Sequence, residues 1–317
     1  MSYVLRRVLT SAVMLVLASV LIFVVLRALP GDPVLARLGA APGITQETLD
    51  RLRAEAGLDQ PLLTQYLGWV GGALKGDLGT SYFSSAPVAT LIEQRVWPTL
   101  ELTVLTVILS VLIAVPAAIL ATRRPNGLVD RTITFLSSVG MAFPPFIAGI
   151  LLILVFAVAL KLVPARGYVP FFEDPLGNLQ RMILPAVALT VAASPLVYRH
   201  LRGTLGEAMR SGFARTAVGK GASSARVVFR HELPNAAIPS LTMVGLIFGY
   251  TLGGSVIVEY AFGISGLGSL AVESAFRRDY AVLQSVVLFA AALFITVTLV
   301  VDLLLHRLDP RLKVPRG

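Results

Sequence analysis

The chain has 317 residues, of which 56% are hydrophobic and 14% are charged. Soluble domains carry about 25% charged residues, so this composition excludes an ordinary soluble protein and indicates a membrane protein. The net charge of +9 does not indicate nucleic-acid binding, because basic residues collect in the cytoplasmic loops of membrane proteins, and the absence of cysteine excludes disulfides and thiolate metal sites.

Apolar runs along the chain predict about six transmembrane helices. A hydrocarbon core of about 30 Å needs about 20 residues of helix, and the runs are close to that length or longer. The predicted spans are 8–26, 99–122, 132–160, 182–198, 236–258 and 281–305. The pattern therefore predicts an all-α polytopic membrane protein.

Loop charge predicts the orientation of these spans. The turn after the second span and the tail from His306 are rich in Arg and Lys, whereas the loops at 161–181 and 259–280 have mixed or acidic charge. Basic loops stay inside, so we expect both termini to be cytoplasmic. The expected segments are a cytoplasmic N-terminus with the first span (1–29), an extracytoplasmic segment (30–98), a transmembrane core (99–305) and a cytoplasmic tail (306–317).

The extracytoplasmic segment contains two helical patterns. Thr45 is a suitable N-cap for a helix over 47–56, which Gly57 would end, and Pro61 opens the second pattern. Tyr66 and Trp69 on the second helix would suit the headgroup layer of a membrane.

Proline pairs and glycine stripes mark two of the spans. Pro144 and Pro145 remove two amide donors in the third span and must kink it, either for packing or to line a cavity. Gly245, Gly249 and Gly253 form a bare stripe on one face of the fifth span, which lets helices approach closely. The sequence leaves open whether this stripe packs within the chain or forms a subunit interface or translocation path.

The largest basic interruption covers residues 199–234 and holds seven Lys or Arg against two acids. Its pattern predicts a helix over 206–219, a turn at Gly219 and Gly221, and a second helix that Ser223 or Ser224 caps and Pro234 ends. Apolar residues on this basic background fit a plug for a groove on another protein. An amphipathic hairpin lying on anionic lipid is the alternative interpretation.

Signatures of catalysis are missing from the sequence. It has no G-x-x-x-x-G-K-[ST] phosphate loop, no H-E-x-x-H zinc motif and no G-x-S-x-G elbow. His200, His231 and His306 all lie at expected cytoplasmic edges, and the acids Glu101 and Asp302 lie near span ends rather than at mid-membrane, where proton-coupled carriers keep ionisable groups. We therefore expect a protein that catalyses no reaction itself and receives any energy for transport from another source. A stand-alone secondary carrier or channel is the alternative class.

The interruption also resembles a known motif. Ala214-Arg215-Thr216-Ala217-x-x-Lys220-Gly221, followed by Leu233-Pro234, is similar to the EAA loop of binding-protein-dependent ABC-transporter permeases, in the branch for dipeptides, oligopeptides and nickel. Arg215 and Thr216 replace the family's Glu and first Ala. Other motifs fit in the family's order: Pro30-Gly31-Asp32-Pro33, Gly57-Leu58-Asp59-Gln60-Pro61, Gly76-Asp77-Leu78-Gly79-Thr80-Ser81, Asn235-Ala236-Ala237-Ile238-Pro239, Gly253-Gly254 with Glu259, Gly266-Leu267-Gly268, Asp279-Tyr280 and Leu308-Asp309-Pro310-Arg311. Ser265 stands where the family usually has Pro.

This resemblance implies a type I ABC importer permease fold in a cell (inner) membrane. It implies four partner subunits, namely a second homologous permease, two ATP-binding subunits and an extracytoplasmic substrate-binding protein, with ATP and Mg held by partners and no cofactor or metal here. Residues 199–235, called the coupling loop below, would transmit ATPase work to the spans. The expected coupling residues are Arg215, Thr216, Ala217, Lys220, Gly221, Leu233 and Pro234, and the expected packing or pathway residues are Gly245, Gly249, Gly253, Pro144 and Pro145. The implied substrates are small peptides, with a nickel chelate or glutathione as alternatives.

Overall fold

A computed structural model describes residues 3–28, 45–55 and 57–308. The regular elements of these residues are helical, which confirms the all-α prediction, and an isolated antiparallel bridge joins Thr80 and Pro87. The motif Pro30-Gly31-Asp32-Pro33 and residues Asp309 to Arg311 of the last motif lie outside the described residues. The helices are α1 (Tyr3–Ala28), α2 (Gln46–Glu55), α3 (Leu62–Leu74), α4 (Val88–Arg123), α5 (Leu128–Ala142), α6 (Pro145–Leu152), α7 (Pro175–Arg210), α8 (Gly212–Gly219), α9 (Ser224–Val227), α10 (Leu233–Phe262), α11 (Leu267–Phe276) and α12 (Tyr280–Leu308).

Within the described ranges, five helices are long and apolar enough to cross a membrane. They are α1, α4, α7, α12 and the continuous helix that runs from α9 into α10. Counting α5 and α6 as one bent span gives six, in agreement with the predicted number. In the described part of residues 30–98, α2 and α3 form where the two helical patterns predict helices, and Thr45 Oγ1 accepts a hydrogen bond from the amide of Thr48 at 3.3 Å, as an N-cap does.

The proline pair breaks the third span completely. Helix α5 ends at Ala142, Pro144 has an extended backbone, and α6 begins at Pro145 at an angle of 99° to α5. Two successive residues without amide donors cannot continue a helical ladder, so the predicted kink is confirmed. A π-helical turn, Ile153–Ala159, then extends α6.

Pro185 and Pro195 lie within the fourth predicted span, and by residue type they are expected to interrupt it, but α7 continues through both residues. Pro195 leaves the carbonyl of Val191, four residues earlier, without its helical donor. Gly140 of α5 lies directly over this carbonyl, since a Cβ at Gly140 would come within 2.7 Å of the Val191 oxygen and 3.2 Å of Pro195 Cγ. A neighbouring helix therefore covers the freed group, which is how membrane helices tolerate internal proline.

The described residues fall into two compact units. The first contains the residues up to Thr99 together with Ser265–Ile295. Its core consists of six buried side chains from α4, α11 and α12: Val88, Ile92, Leu267, Leu270, Val282 and Val286. Helix α3 packs on α1 in the same unit, because the rings of Tyr66 and Trp69 lie 5.5 and 6.3 Å from the ring of Phe23.

The second unit contains Leu100–Ile264 and the residues from Thr296 onward. Its helices α4, α7 and α10 bury two apolar clusters, one around Val197, Leu201 and Ile247 and one around Leu189 and Phe262. Both the coupling loop and the glycine stripe belong to this unit.

Candidate functional site

The first helix of the coupling loop is shorter than predicted. Helix α7 continues to Arg210, Ser211 has an extended ψ of 157°, and α8 starts only at Gly212. The Ser211 hydroxyl donates to the carbonyl of Ala208 and accepts from the amide of Ala214 at 3.5 Å. Serine is a favoured N-cap residue, so Ser211 followed by an apolar pattern indicates that a new helix starts there. The prediction of one helix over 206–219 does not take this signal into account.

A glycine-dependent turn ends α8, as predicted. Gly221 has a φ of +78°, the amide of Gly221 donates to Val218 O at 2.9 Å, and the amide of Ala222 donates to Ala217 O at 3.1 Å. These are the two bonds of a Schellman motif, in which the left-handed residue is usually glycine. A Cβ at Gly221 would meet no atom within 4 Å, so backbone conformation alone requires glycine there.

The second half of the loop differs from the prediction at Pro234. Ser223 precedes α9 with an extended ψ of 150°, without a capping bond from its side chain, and a π-helical turn, Val228–Glu232, joins α9 to α10. Pro234 therefore does not end a helix but lies where the π-helical turn passes into α10, inside one continuous helix from Ser224 to Phe262. Asn235 Nδ2 donates to His231 O at 2.6 Å and so supplies a donor beside the proline.

The predicted coupling residues have different environments. Leu233 packs against the apolar cluster around Ile247, and Ala217 is half-buried. Ala214 and Val227, at 2% and 3% exposure, anchor the loop to its unit. The remaining predicted coupling residues lie at the surface: Arg215, Thr216, Lys220, Gly221 and Pro234.

Three large apolar side chains are exposed beside these polar residues. Val218 and Phe229 are 61% and 59% exposed, and Phe213 is 39% exposed. Exposed apolar residues between basic ones are typical of a contact surface for a protein or for lipid. The loop thus combines a fixed base, a rigid turn and an apolar, basic outer face.

Polar contacts tie the two ends of the loop together. His200 Nε2 lies 3.2 Å from Pro239 O, and the hydroxyls of Thr204 and Ser240 are 3.3 Å apart, so the end of α7 is bound to the start of α10. In the described ranges no group of three His, Cys, Asp or Glu side chains could hold a metal ion.

An ion pair also holds the base of the loop. Arg202 of α7 donates from Nε and Nη2 to the two carboxylate oxygens of Asp130 in α5, each at 2.7 Å. The Asp130 side chain is 4% exposed and also accepts from the amide of Asn126 at 2.9 Å. This pair could not be found from the sequence, because the two residues are 72 positions apart and their side chains form no local motif.

The glycines of the stripe in α10 have two different environments. At Gly245 a Cβ would lie 3.6 Å from Val301 of α12, so this glycine is packed within the chain. Gly249 and Gly253 instead line a groove of about 400 Å³ together with Pro145 and Phe146 of α6. Tyr250, Gly254 and Ile257 complete the lining of this feature, which is called the glycine groove below. Its wall is largely apolar and includes one residue of the proline pair.

Comparisons with known proteins cover nearly the whole chain. Residues 114–314 match the family described as binding-protein-dependent transport system inner membrane component, and residues 1–103 match the model of its N-terminal part. The probable peptide ABC transporter permease protein y4tP of Sinorhizobium fredii is 37% identical over 311 residues, which is 98% of this chain and 99% of that protein. The glutathione transport system permease protein GsiC of Escherichia coli is 38% identical over 313 residues, 99% of each chain.

Solved structures show a likeness of fold. A chain of the inward-facing methionine ABC transporter MetNI superposes with a TM-score of 0.56 at 21% identity, over 69% of this chain and 96% of the other. A second crystal form of that transporter gives a TM-score of 0.57 at 20% identity over the same shares.

Proposed function

The chain belongs to the family of inner membrane components of binding-protein-dependent transport systems, and on this premise we propose that it forms the path by which short peptides enter the cell. As an ABC importer permease it is a non-catalytic subunit, and partner subunits hydrolyse the ATP. The resemblance drawn from its motifs is thereby confirmed, and its fold is that of type I importer permeases.

Peptides are favoured as substrate by the names of two relatives. The 37% identical protein is named a probable peptide permease, and the 38% identical one a glutathione permease. Glutathione is itself a tripeptide, so both names indicate short chains of amide-linked residues with free carboxylates. Glutathione is the second candidate substrate, favoured by the relative that carries its name.

Uptake by a reconstituted complex distinguishes these substrates. The chain would be placed in liposomes with a second permease subunit, its ATP-binding subunits and its binding protein, and supplied with labelled dialanine, trialanine or glutathione. We expect ATP-dependent uptake of the alanine peptides, which excess unlabelled peptide suppresses more strongly than glutathione does. Uptake of glutathione alone would replace peptides by the second candidate, and ATP-independent uptake by the isolated chain would indicate a carrier.

We assign the coupling to the loop over residues 199–235. We place this loop in the cytoplasm, together with both termini. The rigid turn at Gly221 and the exposed face with Val218 support this assignment, because a docking element must hold its shape while it transmits force. We place two ATP-binding subunits against the two coupling loops of a permease pair, and a substrate-binding protein on the opposite side of the membrane.

A pair of substitutions at Gly221 tests the coupling. Valine is strained at a φ of +78°, whereas asparagine adopts left-handed conformations readily. We expect Gly221→Val to lower peptide uptake per ATP hydrolysed by about tenfold, and Gly221→Asn to retain most of it. Co-purification of the ATP-binding subunit measures docking separately. If the valine variant transports and hydrolyses ATP like the unmodified complex, the coupling role of this turn is wrong.

A further inference from the structure

A second cavity lies in the first unit, apart from the coupling loop and the glycine groove. It has a volume of about 390 Å³ and lies between the end of α1, one side of α3, the loop at 76–82 and the first turn of α12. This volume falls within the range of small-molecule sites. Phe23, Trp69 and Leu78 supply its apolar wall.

Three residues that line this cavity each carry a buried polar side-chain atom that has no hydrogen-bond partner in the described part of the chain. These atoms are Nε2 of Gln284, Oε1 of Gln65 and Nε of Arg27. Gln284 is 6% exposed, so its amide is almost fully removed from solvent. Buried polar groups nearly always have a partner, because a donor or acceptor removed from water without one is destabilising. Three such atoms around one cavity indicate a site built for a polar ligand.

The orientation of the Gln65 amide is fixed by its other contacts. Its Nε2 donates to Gln60 O at 2.7 Å and to Leu58 O at 3.2 Å. The remaining oxygen is therefore a free acceptor on a residue that lines the cavity, which suits an N–H group. The amide nitrogen of Gln284 is a donor and suits a carbonyl oxygen.

Charge at the cavity is balanced. Among the described lining residues Arg27 is the cation and Asp77 the anion. The Arg27 guanidinium lies over the ring of Phe23 at 5.3 Å, which holds the planar group in place for a carboxylate. Burial raises the pKa of the Tyr82 phenol, an effect that the charge of Arg27 opposes and that of Asp279 reinforces, so this hydroxyl remains a neutral donor at pH 7. A phosphate-rich ligand would need more cations, and a metal ion more carboxylates.

We propose that this cavity binds a short peptide, whose amide group pairs with Gln65 and Gln284 and whose terminal carboxylate pairs with Arg27. The donor of Gln284, the acceptor of Gln65 and the cation of Arg27 match the C=O, N–H and COO⁻ groups that every peptide carries. The site would therefore bind the peptide backbone and accept many different side chains. The class of ligand is inferred from the residues that line the cavity. Only the inference that the bound peptide is also the transported substrate rests on the proposed function. The site would hold substrate in the first unit, separately from the glycine groove of the second.

Calorimetric titration of the full chain in lipid nanodiscs tests the site with trialanine and with trialanine carboxamide, which lacks the carboxylate. We expect trialanine to bind, the carboxamide to bind about tenfold more weakly, and Gln284→Leu to weaken trialanine by about tenfold. We expect Arg27→Gln to bind both ligands equally, because the group that distinguishes them is gone. Gln94→Leu, at an exposed position of α4 outside the cavity, is the matched control and should change nothing.

Thermal unfolding separates ligand binding from a structural role. Replacing an unpartnered buried amide by leucine should leave the unfolding midpoint unchanged or raise it. The inference is overturned if trialanine gives no heat at about 1 mM, or if Gln284→Leu leaves its affinity intact. Import of peptide by the reconstituted complex, with no binding at this cavity, would refute the site alone, whereas a complex that imports no peptide would refute the proposed function whatever the cavity binds.

Discussion

The carboxylate of Asp279 accepts a hydrogen bond from the backbone amide of Tyr82 at 3.1 Å, although 196 other residues separate the two in sequence. The same carboxylate accepts from the hydroxyl of Ser81 and, at 3.4 Å, from the amide of Phe83. Two motifs of the family resemblance, one ending at Ser81 and one starting at Asp279, thus meet in the first unit. A buried acid fixes the loop at 76–82 to the start of α12, and this loop forms part of the proposed peptide cavity.

Removing this carboxylate should destabilise the first unit. Asp279 is 4% exposed, so Asp279→Ala leaves the donors of Ser81 and Tyr82 unpaired in a buried place. Each hydrogen bond to a charged group contributes about 1.5–3 kcal/mol, and we expect a total loss on the order of 3 kcal/mol in unfolding free energy. Asp279→Asn keeps one acceptor oxygen and should lose less.

Tryptophan fluorescence can follow this unfolding, because both tryptophans of the chain, Trp69 and Trp97, belong to the first unit. Asp59→Asn, at an exposed acid of the same unit, is the control and should leave the transition unchanged. A transition for Asp279→Ala that coincides with that of the unmodified chain would contradict the structural role of the carboxylate.

The Arg202–Asp130 pair should stabilise the second unit and the base of the coupling loop. The Asp130 side chain is buried but that of Arg202 is 37% exposed, so removing Arg202 leaves a carboxylate without compensation at a cost of about 2 kcal/mol, less than for a fully buried pair. We expect Arg202→Met to lower the unfolding free energy by about that amount, and Arg202→Lys by less, since lysine cannot reproduce the two-pronged contact. Denaturant titration of the two variants measures the difference. Arg199→Lys, at an exposed arginine that donates to Ser138, is the control, and an equal loss in all three would show that the pair has no special role.

Local features of the fold could be predicted from sequence. The break at Pro144 and Pro145 and the turn at Gly221 follow from properties of single residues, namely absent amide donors and a permitted positive φ. The number of spans can likewise be predicted from hydropathy, because a helix that crosses the lipid needs apolar side chains along its whole length.

The sequence patterns gave wrong predictions where the backbone depends on contacts with other parts of the fold. Pro195 looks like an interruption until Gly140 of another helix is seen to cover the Val191 carbonyl. Pro234 looks like a stop until a π-helical turn changes the register before it. The ion pair of Arg202 and the burial of Gln284 could not be predicted, because each depends on which distant helix lies opposite.

Stability at high pH should depend on Tyr168 in the loop between α6 and α7. Its hydroxyl donates to Glu101 Oε2 at 2.9 Å, and burial together with this negatively charged acceptor raises the pKa of the phenol well above its usual 10. In the unfolded chain the phenol loses its proton near pH 10, whereas in the folded chain it keeps it. The stability that depends on the protonated phenol is therefore complete below pH 10 and falls as the pH rises above it.

Unfolding midpoints measured from pH 9 to pH 11 test this dependence. We expect the midpoint of the unmodified chain to fall more steeply with pH than that of Tyr168→Phe, which has no proton to lose. Tyr260→Phe, at an exposed tyrosine of the same unit, controls for the removal of any phenol. Parallel curves for the unmodified chain and Tyr168→Phe would contradict the assigned contact.

The two environments of the glycine stripe give the sharpest test of the translocation path. A leucine at Gly253 would project into the glycine groove, because no atom lies within 4 Å of the Cβ position, and it would also raise helix propensity by nearly 1 kcal/mol. We expect Gly253→Leu to retain or gain stability while peptide uptake falls severalfold if the groove is part of the path, which is one of the roles that the sequence leaves open for the stripe. A leucine at Gly245 has less room, because its Cβ would already contact Val301 at 3.6 Å and the rest of the side chain must displace neighbours. Gly245→Leu should therefore lose stability, and its uptake should fall only in proportion to the folded protein. Uptake per folded complex, with folding followed by size-exclusion chromatography, separates the two effects. Normal uptake by a stable Gly253→Leu complex would remove the groove from the path and leave the stripe with a packing role alone.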